Sequence, residues 1–325
     1  MGAALAQAGL KRRTRLGTAT LLIGANLPDL DVLAYPLGGS LCALSFRRGW
    51  THGLLALVVL PFVLTGAMLL WHRLATWKSA RLRAAGEQPA EAPVAAQVLL
   101  LSALAIATHA LLDFLNTYGL RWLMPFDGRW WYGDALFIVD PWLWIVLAAG
   151  IALSLREERR SIASDGAPHA RWMRPARWAL ALVAGYAALM WDASAAGRSL
   201  VERYFVRRGD EAPRRIMASP VPVNPFRRWV VIEDGEVYRF GTINWLSRPA
   251  FLLSPLVVAK QASEPLAQVA ARSPEGRRFL GWARFPFFEI EASGPDRIVH
   301  LVDARYTLDP EAGFGALAVR LPAAP

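Results

Sequence analysis

The sequence predicts a mainly α fold, with a polytopic transmembrane helical bundle of about five spans followed by a small soluble α+β C-terminal domain. The chain has 325 residues, of which 54% are hydrophobic and only 19% are charged, whereas about 25% is usual in soluble domains. The apolar residues concentrate in long blocks before residue 200. Beyond that point, short runs rich in aromatic and branched residues alternate with turn signals. We therefore expect a membrane protein with a soluble tail.

The bundle is predicted from apolar blocks that are long enough to cross a membrane as helices. About 20 apolar residues in a helix span a hydrocarbon core of about 30 Å. Residues 53–71 contain no charged side chain, and residues 93–112 contain His109 as their one ionisable group. The remaining blocks are interrupted by one or two aspartates each, and the first of them is the weakest. The five predicted spans are residues 17–35, 53–71, 93–112, 135–155 and 178–196.

The net charge of +10 does not indicate nucleic-acid binding, because of where the basic residues lie. They gather beside the apolar blocks, at residues 11–15, 73–83 and 156–177. This distribution is typical of short cytoplasmic loops that face anionic lipid, and no aromatic-basic motif of a nucleic-acid reader accompanies it. The predicted partners are therefore membrane lipids and an unidentified small-molecule or lipid substrate. Cys42 is the only cysteine, so an intrachain disulfide and a thiolate metal cluster are excluded.

Two domains are predicted: residues 1–198 form the transmembrane domain that carries the site, and residues 199–325 form an extramembrane α+β domain. In the tail, Asp234-Gly235 between two strand-like runs predicts a hairpin over residues 229–240. Residues 263–283 are predicted to form one helix. Three further strands are predicted at residues 285–293, 296–308 and 314–322, and two low-complexity segments, residues 84–96 and 161–170, are predicted to be flexible loops.

Ionisable residues at membrane depth are costly and are therefore functional candidates. His109 and Asp113 are four residues apart and share one face of a predicted helix. In the five-span arrangement, the other candidates lie at the same end of their spans, so antiparallel packing brings them to one layer. Carboxylates and imidazoles without thiolates suit zinc, manganese or iron. The predicted metal ligands are Asp29, Asp31, His52, His109 and Asp113, with Asp134 and Asp140 flanking the fourth span.

Each candidate also has a structural interpretation. The PDLD segment is compatible with a helix-ending turn capped by aspartate. His52 is compatible with a helix cap, and the pair His109 and Asp113 with a hydrogen-bonded clamp between helices. The alternative function is thus a non-catalytic integral membrane protein whose His/Asp cluster is structural and whose C-terminal domain is a binding module.

Four segments in combination resemble a known family over most of the chain. They are GANLPDLDVL (24–33), RRGWTHGLLALVVLP (47–61), THALLDFLNTYGLRWLMPFDGRWWYGDALFIVDPWLW (108–144) and PVPVNPFRRWVV (220–231). Together they resemble the predicted membrane-bound metal-dependent hydrolases of the LexA-regulated inner-membrane protein type. The resemblance implies a multi-pass protein of the bacterial inner (cytoplasmic) membrane with a metal site of histidine and aspartate.

Carried over to this chain, the family motif PDxD falls on Asp29 and Asp31, the motif RGxTH on His52, and the motif HxxxD on His109 and Asp113. The last motif is also similar to that of the helical zinc-dependent phospholipases C. The resulting hypothesis is a metal-dependent hydrolase in which a divalent metal, expected to be zinc, activates water against an ester or phosphodiester of a lipid or envelope molecule.

In this hypothesis the catalytic residues are Asp113 and Asp134. Either Asp134 or Asp140 is expected to orient a ligand histidine. Arg47, Arg48 or Arg129 is predicted to hold an anionic substrate.

The chain departs from the family pattern at two places. Many relatives have histidine where this sequence has Arg47. Relatives also carry Thr-His just before a segment similar to the one that opens this chain, MGAALAQAGL. From this second departure we expect either a start upstream of Met1 or a site with one ligand fewer.

Overall fold

The computed structural model describes residues 1–80, 92–165, 170–293 and 295–322. The chain divides into two compact units. The first unit comprises residues 1–31 and 48–189, and the second comprises residues 32–47 and 190–325. The division therefore falls at residues 189 and 190, inside a long helix, whereas the sequence suggested a boundary at residues 198 and 199. The second unit also includes a segment from early in the chain.

The first unit is helical. Its helices are α1 (Gly2–Gln7), α2 (Gly17–Gly24), α4 (Leu54–Ala80), α5 (Ala95–Phe114), α6 (Pro141–Asp165) and the first part of α7 (Arg174–Arg207), whereas α3 (Ala34–Phe46) belongs to the second unit. Short 3₁₀ helices cover Leu10–Arg13, Pro28–Leu33 and Ala170–Met173.

Three helices in the described part of the chain are long and apolar enough to cross a membrane: Leu54–Trp77, Ala95–Phe114 and Arg171–Arg207. They correspond to the predicted spans at residues 53–71, 93–112 and 178–196. The 20 residues of the second one span about 30 Å at 1.5 Å per residue. This length matches a hydrocarbon core.

The five predicted spans are not found, because two of the blocks form other structures. Residues 17–35 do not form one helix, since α2 ends at Gly24 and a 3₁₀ helix begins at Pro28. In the block at residues 135–155, helix α6 begins only at Pro141, and its apolar part ends before Arg156, Glu157 and Glu158. The apolar part of α6 is therefore too short for this helix to be a fourth candidate membrane span.

Helix α5 is the centre of the first unit and packs against both α2 and α4. Small side chains permit this close packing, since a Cβ atom built on Gly24 of α2 would lie only 2.9 Å from the Cβ of Ala105 on α5. Leu21, Leu101 and Ala105 are almost fully buried in the resulting core. The packing fixes the axis of α5, whose C-terminal turn carries His109 and Asp113.

The second unit contains two antiparallel sheets. The first has the order β1-β2-β3-β4, formed by β1 (Arg215–Pro220), β2 (Arg227–Asp234), β3 (Val237–Asn244) and β4 (Phe251–Ala259). The second has the order β5-β6-β7, formed by β5 (Pro286–Ser293), β6 (Asp296–Asp303) and β7 (Ala316–Leu321). The hairpin predicted at Asp234-Gly235 is confirmed, with Asp234 opposite Val237 and Gly235 at φ +56°.

The single helix predicted over residues 263–283 is wrong. The structure has two helices there, α8 (Pro265–Arg272) and α9 (Pro274–Leu280). Ser273 is extended, as a residue before proline tends to be, and its hydroxyl caps α9 by accepting a hydrogen bond from Gly276 N at 2.9 Å.

The two predicted flexible loops lie partly outside the described residues, at residues 81–91 and 166–169. In the described parts, α5 begins at Ala95 and residues 161–165 continue helix α6.

Candidate metal centre

The C-terminal turn of α5 supplies two of the candidate ligands. His109 and Asp113 lie one helical turn apart, with His109 Nε2 and Asp113 Oδ2 separated by 3.6 Å. The helix stops just beyond them, where Asn116 Oδ1 accepts hydrogen bonds from Tyr118 N at 2.8 Å and Gly119 N at 3.2 Å. Gly119 adopts φ +78°, a conformation that favours glycine. The chain therefore turns back immediately below the pair.

The segment that carries His52 lies against this turn through backbone hydrogen bonds. Arg121 N donates to Arg48 O at 2.8 Å, and Leu54 N donates to Trp122 O at 2.7 Å. Gly53 permits the close approach, because a Cβ atom built there would lie 3.0 Å from the carbonyl oxygens of both Arg121 and Trp122. The glycine of the WTHG sequence thus brings His52 to the end of α5.

Four side chains converge at this point. Ligand-type atoms of Asp29, His52, His109 and Asp113 all lie within 4.8 Å of one another. His52 Nε2 is 3.3 Å from His109 Nε2 and 3.2 Å from Asp113 Oδ2, and His109 Nε2 is 3.7 Å from Asp29 Oδ1. His52 is fully buried, whereas the side chain of Asp29 is about half exposed. We call these four residues the His/Asp group.

The hydrogen bonds on the far side of each imidazole orient the Nε2 atoms toward the group. His109 Nδ1 lies 2.8 Å from Ala25 O, and because a carbonyl oxygen only accepts, Nδ1 carries the proton. His52 Nδ1 lies 2.9 Å from Thr51 Oγ1, and the Thr51 hydroxyl donates to Asp31 Oδ2 at 3.1 Å. In the neutral rings, both Nε2 lone pairs therefore face each other. Such an arrangement is repulsive unless a proton or a metal cation lies between them.

Asp113 is held from one side only. Its Oδ1 pairs with the guanidinium of buried Arg48 at 3.1 Å. The same guanidinium donates to Asn116 Oδ1 at 3.0 Å and lies 4.7 Å from the Tyr118 ring centroid. Asp113 Oδ2 is buried and accepts no hydrogen bond of normal geometry from the described residues. This oxygen is the one that faces the two Nε2 atoms.

These distances fit a divalent metal. Tetrahedral zinc with bonds of about 2.0–2.1 Å has ligand atoms about 3.3–3.4 Å apart. Four of the six separations in the His/Asp group run from 3.2 to 3.7 Å, and all six are within 4.8 Å. The outward hydrogen bonds of both histidines are those usually found on metal-ligating imidazoles. The residues present therefore fit the implied metal.

The structure does not bring all of the predicted site residues into this group. Asp31 was predicted as a ligand, but its Oδ2 accepts from Arg48 N at 2.9 Å and from Thr51, and it lies 3.4 Å from His52 Nδ1. Asp31 thus orients His52 from the Nδ1 side of the ring, away from the four converging side chains. Asp134 is buried at φ +52° in a segment hydrogen-bonded to the end of α5, and it is not among the four converging residues.

The predicted supporting and substrate-binding residues also have other partners. Asp140 caps α6, accepting from Trp142 N and Leu143 N, and receives a hydrogen bond from Tyr186. Arg47 lies over the Tyr35 ring, and exposed Arg129 pairs with Asp127. Of the three arginines predicted to hold substrate, only Arg48 touches the His/Asp group, where it pairs with Asp113.

Sequence reasoning missed Ala25, Thr51 and Asn116 as supporting residues of the site, and it assigned Arg48 to the substrate, whereas Arg48 pairs with Asp113. The adjacency of Thr51 to His52 and of Asn116 to the end of the third apolar block were the available signals. The role of the Ala25 carbonyl could not be predicted from the sequence, because every residue type offers the same backbone acceptor.

A cavity of about 450 Å³ opens beside the group. Its polar end is formed by His109, Asp113 and Asn116, and a wall of apolar side chains continues along the start of α6. The apolar lining residues are Leu112, Leu136, Phe137, Ile138, Leu143, Trp144, Leu147, Ala148 and Ile151, and the remaining ones are Met1, Ala3, Ala25, Asn26 and Asp140.

This fold and this site define a helical membrane protein with a His/Asp group that is suited to holding a divalent cation. A comparison with protein-family models agrees with the first part of that description. The family model described as YdjM inner membrane protein matches residues 1–198, so the chain belongs to this family, and the match covers the whole His/Asp group. Membrane localisation is thereby supported, while hydrolysis and a multi-pass arrangement stay predictions. No curated protein and no solved structure matched the chain.

Proposed function

We propose that the protein is a membrane-bound metal-dependent hydrolase acting on an ester or phosphodiester of a lipid or envelope molecule. The observation that carries the proposal is the convergence of two imidazole Nε2 atoms and two carboxylate oxygens within 4.8 Å. Both imidazoles are hydrogen-bonded away from the point of convergence. Three helices that could each span a membrane accord with a multi-pass arrangement in the bacterial inner membrane.

His52, His109, Asp113 and Asp29 would hold the cation, and zinc is the metal we expect from the mixed nitrogen and oxygen ligands. When bound, a divalent cation supplies Lewis acidity toward water and toward the scissile group. The chain's own residues hold the geometry: Thr51 and Asp31 fix the ring of His52, the Ala25 carbonyl fixes His109, and Arg48 fixes Asp113.

The half-exposed carboxylate of Asp29 differs from the other three members of the group, which are mostly buried. Its exposure makes it the member that most readily changes position when a substrate enters. Asp113 carries out its role through Oδ2, and the pairing of Oδ1 with Arg48 keeps this carboxylate oriented.

A second candidate function is a non-catalytic membrane protein with a structural His/Asp cluster. It is favoured by one observation, the continuity of the cluster with the Arg48–Asp113 ion pair and the Asn116 turn, which alone would tie α5 to the His52 segment. In this case the C-terminal unit would act as a binding module.

Thermal unfolding with and without a chelator separates the two functions, because a ligand that binds the folded state raises its stability. For hydrolysis, we expect chelation to lower the melting temperature of the purified full chain and added zinc to restore it. His109→Ala should abolish this response together with turnover of lipid esters or phosphodiesters, and the matched control His72→Ala, on α4 and outside the group, should retain both. A wild-type chain insensitive to chelation, with His109→Ala merely less stable, would support the structural function instead.

A further inference from the structure

The cavity beside the His/Asp group has an uneven distribution of charge. Its lining includes the carboxylates of Asp113 and Asp140, but no lysine or arginine occurs among the described residues that line it. Sites that hold phosphate usually present arginine, lysine or free helix N-termini to it.

The helix N-terminus at this cavity is already occupied. Helix α6 begins at Pro141, and the amides of Trp142 and Leu143 both donate to Asp140 Oδ1, at 3.1 and 3.2 Å. A carboxylate therefore takes the place that an anionic substrate group would otherwise find favourable. Arg48 is committed as well, because its guanidinium pairs with Asp113 and donates to Asn116.

The charges of the group itself lead to the same conclusion. A divalent cation between Asp29 and Asp113 is neutralised by two carboxylates, and both imidazoles are neutral when they ligate. No surplus positive charge is left for an anion. Asn116 offers an uncharged alternative: its Oδ1 accepts from Arg48, Tyr118 N and Gly119 N, so its amide NH₂ is the end left for donation to a carbonyl oxygen.

The apolar wall has the shape of a chain-binding surface. Leu143, Leu147 and Ile151 follow one another at four-residue spacing on α6, joined by Trp144 and Ala148 on the same face. Eight residues of helix extend about 12 Å. The cavity volume of about 450 Å³ lies within the range of roughly 300–1,000 Å³ found for small-molecule pockets.

We infer that the cavity takes an uncharged carboxylic ester with one medium-length acyl chain, the chain along α6 and the ester at His109, Asp113 and Asn116. The inference rests on the proposed hydrolase function, and of the two proposed substrate classes it keeps the carboxylic esters and excludes the phosphodiesters. In the reaction, the oxygen of water bonds to the acyl carbon, the bond from that carbon to the alcohol oxygen breaks, and this oxygen leaves with a proton. The products are a carboxylic acid and an alcohol.

The test reads out binding separately from turnover. In a Cys42→Ser background, which removes the only cysteine, Ala148→Cys places a thiol at the cavity wall. Its matched control, Ala149→Cys, is the next residue on α6, exposed and not part of the lining. The full chain in nanodiscs is labelled with a maleimide in the presence of methyl decanoate, methyl butyrate or decyl phosphate.

We expect methyl decanoate to slow labelling at position 148 by about tenfold, equivalent to roughly 1.4 kcal/mol of protection, while position 149 is unaffected. Methyl butyrate and decyl phosphate should protect much less. Equal or better protection by decyl phosphate would overturn the uncharged-ester assignment. Absence of protection by both methyl decanoate and decyl phosphate would overturn the chain-binding surface.

Failure of the hydrolase function gives a different result. Asp29→Ala in the Ala148→Cys protein removes a member of the His/Asp group that does not line the cavity, so protection by methyl decanoate should persist when metal and turnover are lost. If the wild-type protein hydrolyses no ester yet shows selective protection at position 148, the binding inference stands and the proposed catalysis falls.

Discussion

Asp31 does not belong to the His/Asp group, but it orients His52 through the hydroxyl of Thr51. Its carboxylate also accepts a hydrogen bond from the backbone amide of Arg48 at 2.9 Å. A ligand imidazole that loses its supporting acceptor is free to change tautomer and ring orientation. We therefore expect Asp31→Asn to weaken metal binding by about 10–100-fold, measured by competition with a fluorescent zinc chelator. Asp127→Asn, which removes a carboxylate on a surface loop, is the control and should leave affinity unchanged.

Arg48 and Arg47 are adjacent in sequence but differ in environment. Arg48 is buried and pairs with Asp113, whereas Arg47 contacts the ring and hydroxyl of Tyr35. Removing one partner of a buried ion pair leaves an uncompensated charge, so we expect Arg48→Met to cost roughly 3–5 kcal/mol of unfolding free energy. Arg47→Met should cost less than about 1 kcal/mol. Comparable losses from chemical denaturation of the two variants would contradict this assignment.

At the scale of residues, the sequence predicted which types would meet but not their separate roles. The spacing of His109 and Asp113 required a shared helix face. Asp29 and Asp31 are two residues apart in the same motif, yet one lies 3.7 Å from His109 Nε2 and the other 3.4 Å from His52 Nδ1. That difference arises from the 3₁₀ helix at Pro28–Leu33, which no periodicity of apolar residues reveals.

Among the secondary-structure elements, the turn from Arg48 to Gly53 determines whether His52 reaches the end of α5. A methyl group on Gly53 would contact the carbonyl oxygens of Arg121 and Trp122 at 3.0 Å. We expect Gly53→Ala to destabilise the protein by about 1–3 kcal/mol through this overpacking and to weaken metal binding. Gly66→Ala, in α4 with nothing within 4 Å of the added Cβ, should be neutral or stabilising. Thermal unfolding and zinc titration of both variants test the pair.

Local turn chemistry decided how well the elements could be predicted. Asp234-Gly235 specifies a hairpin by itself, and the structure has one there. Ser273-Pro274 carries an equally local signal, a cap followed by proline at the first position of a helix, and it divides the predicted helix into α8 and α9. Strands β1 and β4 were missed because their pairing partners, not their own sequences, define them.

For the molecule as a whole, the apolar blocks revealed the membrane character but not the number of spans. Length and hydropathy sufficed for α4, α5 and α7. The same criteria gave a span at residues 17–35, where the chain instead folds as α2 and a 3₁₀ helix that carries two aspartates of the site. Pro28 opens that 3₁₀ helix, and a local break of this kind is not revealed by hydropathy averaged over a whole block.

The stability of the second unit should depend on pH through the ionisation of Glu233. Desolvation alone would raise the pKa of this carboxyl, but hydrogen bonds and charges from Arg215 and Lys260 outweigh it and lower the pKa below 4.5. A group whose pKa is lower in the folded state stabilises it above the unfolded pKa and loses that effect as the pH falls through the folded value. Hydrogen exchange in β1 and β2, corrected for intrinsic rates, should therefore accelerate below pH 4.5.

The comparison that isolates this carboxyl is Glu233→Gln against Glu236→Gln. The first substitution removes the titrating group between Arg215 and Lys260, so the exchange of β1 and β2 should lose its acid dependence. The second removes an exposed carboxyl of the same hairpin and should retain that dependence. Identical pH profiles in the two variants would assign the effect to another group.

The central claim, that Asp29, His52, His109 and Asp113 hold a divalent metal, is tested most directly by X-ray absorption of the purified full chain after titration with zinc. We predict one zinc per chain, with nitrogen and oxygen neighbours at about 2.0–2.1 Å and the outer-shell scattering of two imidazoles. His109→Ala should lose one imidazole or the metal, while His72→Ala should match the wild type. A zinc spectrum without imidazole scattering, or one unchanged by His109→Ala, would contradict the claim.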